Sequence, residues 1–139
     1  MKKSAQNYKH KIAMLIDDNN LDRLVNQRIL EVNNFAEIIY ENSSTMSAIE
    51  FLRNLEISSD ENARLFPDCI FVDLNMPLND GFQFIDMFYN QFKHNYKSCK
   101  LFVLTSSLNP NDKVRVHKVD SSIPFINKPL TQDILASLL

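Results

Sequence analysis

Five short apolar runs, separated by stretches with helical periodicity, constrain the fold of this 139-residue chain more than any other feature. The runs have the length of strands and are rich in Ile, Val, Leu and Phe: Ile12–Ile16, Ala36–Tyr40, Cys69–Val72, Leu101–Leu104 and Ile123–Ile126. Strands that are apolar on both faces are typical of a parallel sheet covered by helices on each side. The alternation therefore predicts a single α/β domain.

Apolar residues at helical spacing predict the helices. The first is placed near residues 21–33, with a buried face formed by Leu21, Leu24, Val25, Ile29 and Val32. The others are indicated by spacing or by capping residues: Met46, Ile49, Leu52 and Leu55 after a cap at Ser43 or Ser44; Phe84, Ile85, Phe88 and Phe92; Asn109 and Pro110 at the start of a fourth; and Thr131 at the start of a fifth that runs to Leu139.

Composition narrows the class of protein. The net charge is −2 and the pI about 5.9, so no concentrated basic face for nucleic acid is indicated. Residues 1–10 are interpreted as a flexible N-terminal arm and residues 11–139 as the domain. No run reaches the ~18–20 apolar residues of a membrane span, and no secretory signal is found. Cys69 and Cys99 are interpreted as free thiols, and a cytoplasmic location is expected.

Charged and polar side chains stand where the predicted strands end. Asp17 and Asp18 follow the first strand, Asp73 the third, Thr105 the fourth and Lys128 the fifth. Ligands of open α/β sheets bind beyond the carboxyl ends of the strands, so these groups are expected to meet at one edge. Each alone would be an ordinary turn or surface residue, but together they favour a site. Crowded carboxylates need a cation, and Mg²⁺ beside a lysine suits phosphoryl transfer to a carboxylate.

At this point the sequence resembles the receiver domains of bacterial two-component response regulators, chemotaxis regulators among them. The resemblance spans roughly residues 11–139 and rests on these segments: Asp17 and Asp18 after the first strand, Asp73-Leu74-Asn75-Met76-Pro77 with Gly81 beyond it, Thr105-Ser106, and Phe125-Ile126-Asn127-Lys128-Pro129. It implies a doubly wound, five-stranded parallel sheet with five helices in the flavodoxin-like order 2-1-3-4-5.

The resemblance also implies roles for the acidic residues. Asp73 would be the phosphoacceptor. Asp17, Asp18, Asp73 and the backbone carbonyl of Asn75 would hold Mg²⁺, with Asp17 acting through a water molecule. Gly81, the only glycine in the chain, would allow a tight turn after the phosphorylated residue.

Three further residues would respond to the phosphoryl group. Thr105 would hydrogen-bond one phosphoryl oxygen and Lys128 would ion-pair with another. Phe125 would be the aromatic switch residue whose rotamer follows Thr105. The peptide bond between Lys128 and Pro129 is often cis in this family.

These roles imply a stand-alone receiver that takes a phosphoryl group from a sensor histidine kinase or a histidine phosphotransfer protein. It would signal to an unknown protein through the face that runs from the fourth to the fifth helix, without nucleic acid or membrane as partner. It would not be an enzyme for an outside substrate, because the group that is modified is its own. A phosphorylation-independent interaction module with the same fold remains the alternative.

Two other chemistries fit less well. A flavodoxin-type electron carrier would have a Ser, Thr or Gly-rich phosphate cradle after the first strand, where Asp17-Asp18-Asn19-Asn20 stands instead. A phosphatase of the haloacid dehalogenase type would carry its nucleophilic Asp there, with a second Asp two residues later. Asp17 and Asn19 do not fit that pattern.

Overall fold

A computed structural model describes residues 7–57, 65–92 and 98–138. The strands are β1 (His10–Ile16), β2 (Ala36–Asn42), β3 (Cys69–Val72), β4 (Lys100–Thr105) and β5 (Phe125–Asn127), and the helices are α1 (Asn20–Val32), α2 (Thr45–Ile57), α3 (Gly81–Gln91), α4 (Pro110–Val119) and α5 (Gln132–Ser137). All neighbours are parallel in the order β2-β1-β3-β4-β5, which confirms the predicted fold class. Within the described ranges, no helix has both the length and the apolarity to cross a membrane.

The first strand, the last strand and the last helix in the sequence have bounds that differ from those predicted. β1 begins at His10, whose N–H donates to the carbonyl of Phe35, and residues 1–6 of the predicted arm lie outside the described ranges. β5 begins only at Phe125, because Pro124 has no N–H to donate into the sheet. The last helix ends at residue 137, and Leu139 lies outside the described residues.

Alternate positions along the strands supply a core on each face of the sheet. In β1, Met14 and Ile16 pack with α2, α3 and α4, whereas Ala13 and Leu15 pack with α1 and α5. Strands buried on both faces cannot slip in register without exposing apolar side chains. The sheet is therefore a firm scaffold for whatever its carboxyl edge carries.

The predicted buried face of α1 is wrong at four of its five positions, and only Ile29 is partly buried and packs against the core. Leu21, Leu24, Val25 and Val32 are exposed, and the residues of this helix that are fully buried are Asn26 and Leu30. The Asn26 side chain accepts a hydrogen bond from the backbone N–H of Leu130, which draws this polar residue inward. Periodicity assigns the buried face from apolarity alone, so it does not detect a hydrogen bond of this kind.

α4 is anchored by few apolar contacts. Val116 is fully buried, but Val114 and Val119 are exposed. The guanidinium of Arg115 lies 3.9 Å from the ring centre of Phe82, which adds a cation–π contact to α3. Few buried apolar contacts are typical of elements that change position at low cost in free energy.

Candidate functional site

At the carboxyl edge of the sheet, backbone hydrogen bonds between neighbouring strands continue for one residue beyond the ends of β3 and β5. The N–H of Asp73, just after β3, donates to the carbonyl of Ile16 at 2.9 Å. The N–H of Lys128, just after β5, donates to the carbonyl of Thr105 at 2.9 Å. Both side chains therefore leave the sheet at positions that the strand registers determine.

Three carboxylates meet at this edge. One oxygen from each of Asp17, Asp18 and Asp73 lies within 4.8 Å of the other two. Asp17 and Asp73 are buried, at 5% and 4% exposure, whereas Asp18 is open to solvent. The spacing and the oxygen donors suit a hard divalent cation such as Mg²⁺, which prefers carboxylate, carbonyl and water ligands.

The ammonium group of Lys128 reaches into the same cluster. Its Nζ lies 2.6 Å from Oδ2 of Asp17, 2.9 Å from Oδ2 of Asp22 and 3.2 Å from Oδ2 of Asp73. An ammonium has three N–H donors, so these carboxylates account for all of them. The side chain of Lys128 is only 9% exposed, so its ion pairs with Asp17 and Asp73 are largely shielded from water.

Burial and crowding change the ionisation of this cluster. Burial raises the pKa of the Asp17 carboxyl, and so does the charge on Asp73, against the hydrogen bonds from Lys128 and the N–H of Asn19. Burial alone would lower the pKa of Lys128, but hydrogen bonds to Asp17 and Asp22 outweigh it and raise that pKa above its usual value. Both shifts favour binding of a proton. The carboxylates of Asp17, Asp18 and Asp73 lie close together beside one ammonium, so an added cation would reduce the repulsion among them.

Backbone donors fix the acidic side chains. The N–H of Asn19 donates to Oδ1 of Asp17 at 2.9 Å, and the N–H of Asn75 approaches Oδ1 of Asp73 at 3.3 Å. Nη1 of Arg23 donates to the carbonyl of Asp17 at 2.6 Å, which holds the loop between β1 and α1. Asp73 therefore has one oxygen toward a backbone amide and the other toward the ammonium of Lys128.

Gly81 packs directly against the backbone of Asp73. A Cβ atom at this position would lie 2.3 Å from the Asp73 carbonyl oxygen, far inside van der Waals contact. Gly81 does not have a positive φ, so the close approach, and not a left-handed backbone conformation, accounts for a glycine here. The residue is glycine because α3 begins against the loop that carries the acidic residue.

Comparison with protein families matches the response regulator receiver domain over residues 13–139. The chain belongs to this family. Receiver domains are the part of two-component systems that accepts phosphoryl groups, and they interact with histidine kinases or phosphotransfer proteins.

Individual relatives agree with this assignment. A two-component response regulator from Cytophaga hutchinsonii is 29% identical, with a TM-score of 0.81 and 92% of each chain covered. The Mn²⁺-bound form of response regulator Rcp1 is 20% identical, with a TM-score of 0.68 and coverage of 91% and 88%. Sensor histidine kinase CheAY of Helicobacter pylori is 28% identical over 131 residues, which are 92% of this chain but only 14% of that protein.

Residues of this receiver that were assigned to the switch lie around β4 and β5, and their roles stay predictions. Thr105 is fully buried at the end of β4, and its hydroxyl accepts the N–H of Ser107 at 3.2 Å. Phe125 is half-buried in β5 and pairs with Val103 of β4. The peptide bond between Lys128 and Pro129 is cis.

Two residues that support the site were not identified from the sequence. Asp22 bonds the ammonium of Lys128, and Asn26 holds the backbone just beyond the cis bond through the N–H of Leu130. Their spacing along the predicted helix is the sequence feature that could have identified both residues. Asp22 lies four residues after Asp18, and Asn26 four residues after Asp22, so both continue from the acidic loop along one side of α1.

Proposed function

We propose that this receiver accepts a phosphoryl group on Asp73 in a Mg²⁺-dependent reaction. The observation that carries the proposal is the placement of the Asp73 carboxylate, which lies between two further carboxylates and the ammonium of Lys128. Repulsion among the carboxylates favours a metal, and the ammonium compensates the charge that a phosphoryl group brings.

Tighter hydrogen bonding at Asp17 distinguishes it from Asp73, whose bonds to Lys128 and to the N–H of Asn75 are 3.2 and 3.3 Å long. The open cleft at this edge is lined by Asp18, Asp73, Asn75, Ser106 and Lys128 along with the start of α1. Asp17 is as buried as Asp73, and its carboxylate oxygens are held closely by the ammonium of Lys128 at 2.6 Å and by the N–H of Asn19 at 2.9 Å. A phosphoryl donor that enters the cleft therefore meets Asp73, which supports its assignment as the nucleophile.

The acidic residues fit the metal that the family implies. Asp17, Asp18, Asp73 and the carbonyl of Asn75 would hold it, and a divalent cation there would stabilise negative charge on the phosphoryl oxygens. Rcp1, which has the same fold, has been seen with bound Mn²⁺. The exposure of Asp18 leaves the cluster open to ions from solvent.

The proposed step is an in-line displacement at phosphorus. A carboxylate oxygen of Asp73 attacks the phosphorus of a phosphohistidine on a partner, or of a small donor such as acetyl phosphate. The bond from phosphorus to the donor atom breaks, and the electron pair leaves with the donor. The product is an acyl phosphate on Asp73, with Thr105 donating a hydrogen bond to one phosphoryl oxygen and Lys128 pairing with another.

We further propose that the modified state changes contacts with a partner protein. A Thr105 hydroxyl drawn to the phosphoryl group leaves room for Phe125 to turn inward, beside the weakly anchored α4. The change is a shift between two packings, and its output is the face formed by α4, β5 and α5. The receiver is then a self-modified switch with no substrate that it turns over.

Label transfer tests the assignment of the acceptor. Wild type incubated with Mg²⁺ and a radiolabelled phosphorylated histidine kinase should take up label, and Asp73→Asn should not, since an amide is not a nucleophile for this reaction. Asp86→Asn, a matched change at an exposed residue of α3, should label like wild type. Label retained in Asp73→Asn would refute the assignment, and absence of label in wild type would favour the phosphorylation-independent module.

A further inference from the structure

The carboxylate of Asp22 stands apart from the three that are grouped for a metal. It lies in the first turn of α1, and its Oδ2 is 2.9 Å from Nζ of Lys128. Its side chain is 39% exposed, whereas those of Asp17 and Asp73 are 7% and 5% exposed. Lys128 therefore has two partners inside the acidic cluster and one on its solvent side.

We propose that Asp22 is a positioning residue that keeps the ammonium of Lys128 in the site when a divalent cation occupies the acidic cluster. This inference rests on the proposed Mg²⁺-dependent function and adds a residue to it. Asp22 itself would touch neither the metal nor the phosphoryl group.

A bound divalent cation and the ammonium of Lys128 would compete for the same carboxylate oxygens. Lys128 bonds Asp17 at 2.6 Å and Asp73 at 3.2 Å, and both carboxylates belong to the group that would hold the metal. A dication on these carboxylates repels the ammonium and takes over their charge. Among the described residues, three carboxylates bond Lys128 and Asp22 is the one outside that group, so it remains as a partner.

Local structure fixes Asp22 in a position to do this. Its backbone N–H donates to Oδ1 of Asn19, the residue that caps α1. The neighbouring cation, Arg23, is already engaged with the Asp17 carbonyl, with Asn20 and with Glu41. The Asp22 carboxylate is thereby left to Lys128.

The ammonium of Lys128 therefore has two positions, one in the acidic cluster and one at Asp22. Without metal, Lys128 partly neutralises the acidic cluster. With metal, it is retained at Asp22, close enough to return to an arriving phosphoryl group without a search from solvent. Loss of Asp22 would leave the metal and the ammonium in direct competition, and the affinity for the metal would fall.

Mg²⁺ titration followed by the amide NMR signals next to Asp73 tests this. Asp22→Asn should weaken Mg²⁺ binding by about fivefold, the size expected for a partly exposed ion pair. Asp133→Asn removes an exposed carboxylate from the first turn of another helix, and it should bind Mg²⁺ like wild type. An unchanged affinity in Asp22→Asn would overturn the inference.

A double variant distinguishes an effect of Asp22 through Lys128 from a direct electrostatic effect of Asp22 on the metal. In Lys128→Met the effect of Asp22→Asn on Mg²⁺ affinity should shrink below about twofold, because there is no ammonium to retain. The same fivefold loss in both backgrounds would mean that Asp22 acts through space on the metal, and the inference would be wrong. The Lys128 ε-methylene signals give a readout that needs no Lys128 variant. They should shift more on Mg²⁺ addition in Asp22→Asn than in wild type, and equal shifts would contradict retention.

The Mg²⁺ titration of wild type distinguishes failure of the proposed function from failure of the role of Asp22. If wild type itself shows no Mg²⁺-dependent change near Asp73, both the proposed function and this inference are contradicted. If wild type binds Mg²⁺ and the Asp22 variants behave as the control does, the proposed function stands and only the role of Asp22 falls.

Discussion

The first residue of α3 has no room for a side chain. A Cβ atom on Gly81 would contact the backbone of both Asp73 and Leu74, at 2.3 Å and 2.8 Å. These are backbone atoms, so they cannot turn aside as a side chain would. One residue thus couples the start of a helix to the position of the proposed acceptor.

Gly81→Ala should therefore be destabilising although alanine is the better helix former. We expect the free energy of unfolding in urea to fall by about 1–3 kcal/mol, the range for added atoms in a packed site. Gln132→Ala, at the exposed first residue of α5, should change it by less than about 0.5 kcal/mol. Equal stability of Gly81→Ala and wild type would show that Gly81 and the backbone of Asp73 are farther apart than in the structure.

His10 gives a residue-scale prediction about pH. Burial lowers its pKa from the ordinary 6.5, with Asp68 opposing and Lys100 and Lys9 adding to the shift. The unfolded chain binds this proton more tightly than the folded one, so stability falls as the pH drops through the unfolded value. Wild type should lose more stability between about pH 7.5 and 5.5 than His10→Phe, which keeps a ring against Phe35. The opposite order in urea unfolding would contradict the lowered pKa.

At the scale of elements, the sequence predicts that helix α1 exists but not which of its faces is buried. Its existence followed from apolar spacing and its cap is Asn19, but its orientation did not follow. The convergence of Asp73 and Lys128 was predictable because parallel strands end at the same edge. The burial of Asn26 was not, because it depends on the backbone N–H of Leu130, 104 residues away in sequence.

The orientation of α1 can be measured by two leucine truncations. Leu30→Ala should lower the free energy of unfolding by about 2–5 kcal/mol, because Leu30 is fully buried. Leu24→Ala should change it by less than about 0.5 kcal/mol, because Leu24 is 53% exposed. Urea unfolding with the reverse order would restore the orientation that the sequence pattern predicted.

At the scale of the whole molecule, a rigid sheet carries a site on one edge and a weakly anchored helix beside it. Both cores bury the strands, so the carboxyl edge holds its carboxylates at fixed spacing. α4 is attached by Val116, by the Arg115 contact to Phe82 and by the hydrogen bond between His117 and the carbonyl of Ile123, and the proposed movement of Thr105 and Phe125 would act on this helix. The proposed function therefore depends on one event, the modification of one carboxylate.

Identification of the modified residue tests that event most directly. The protein is incubated with Mg²⁺ and a phosphoryl donor, the acyl phosphate is reduced with borohydride, and the altered residue is located by mass spectrometry of its peptides. We expect reduction at Asp73 alone, dependent on both Mg²⁺ and the donor. Reduction at Asp17 or Asp18, or a product confined to a histidine, would contradict it.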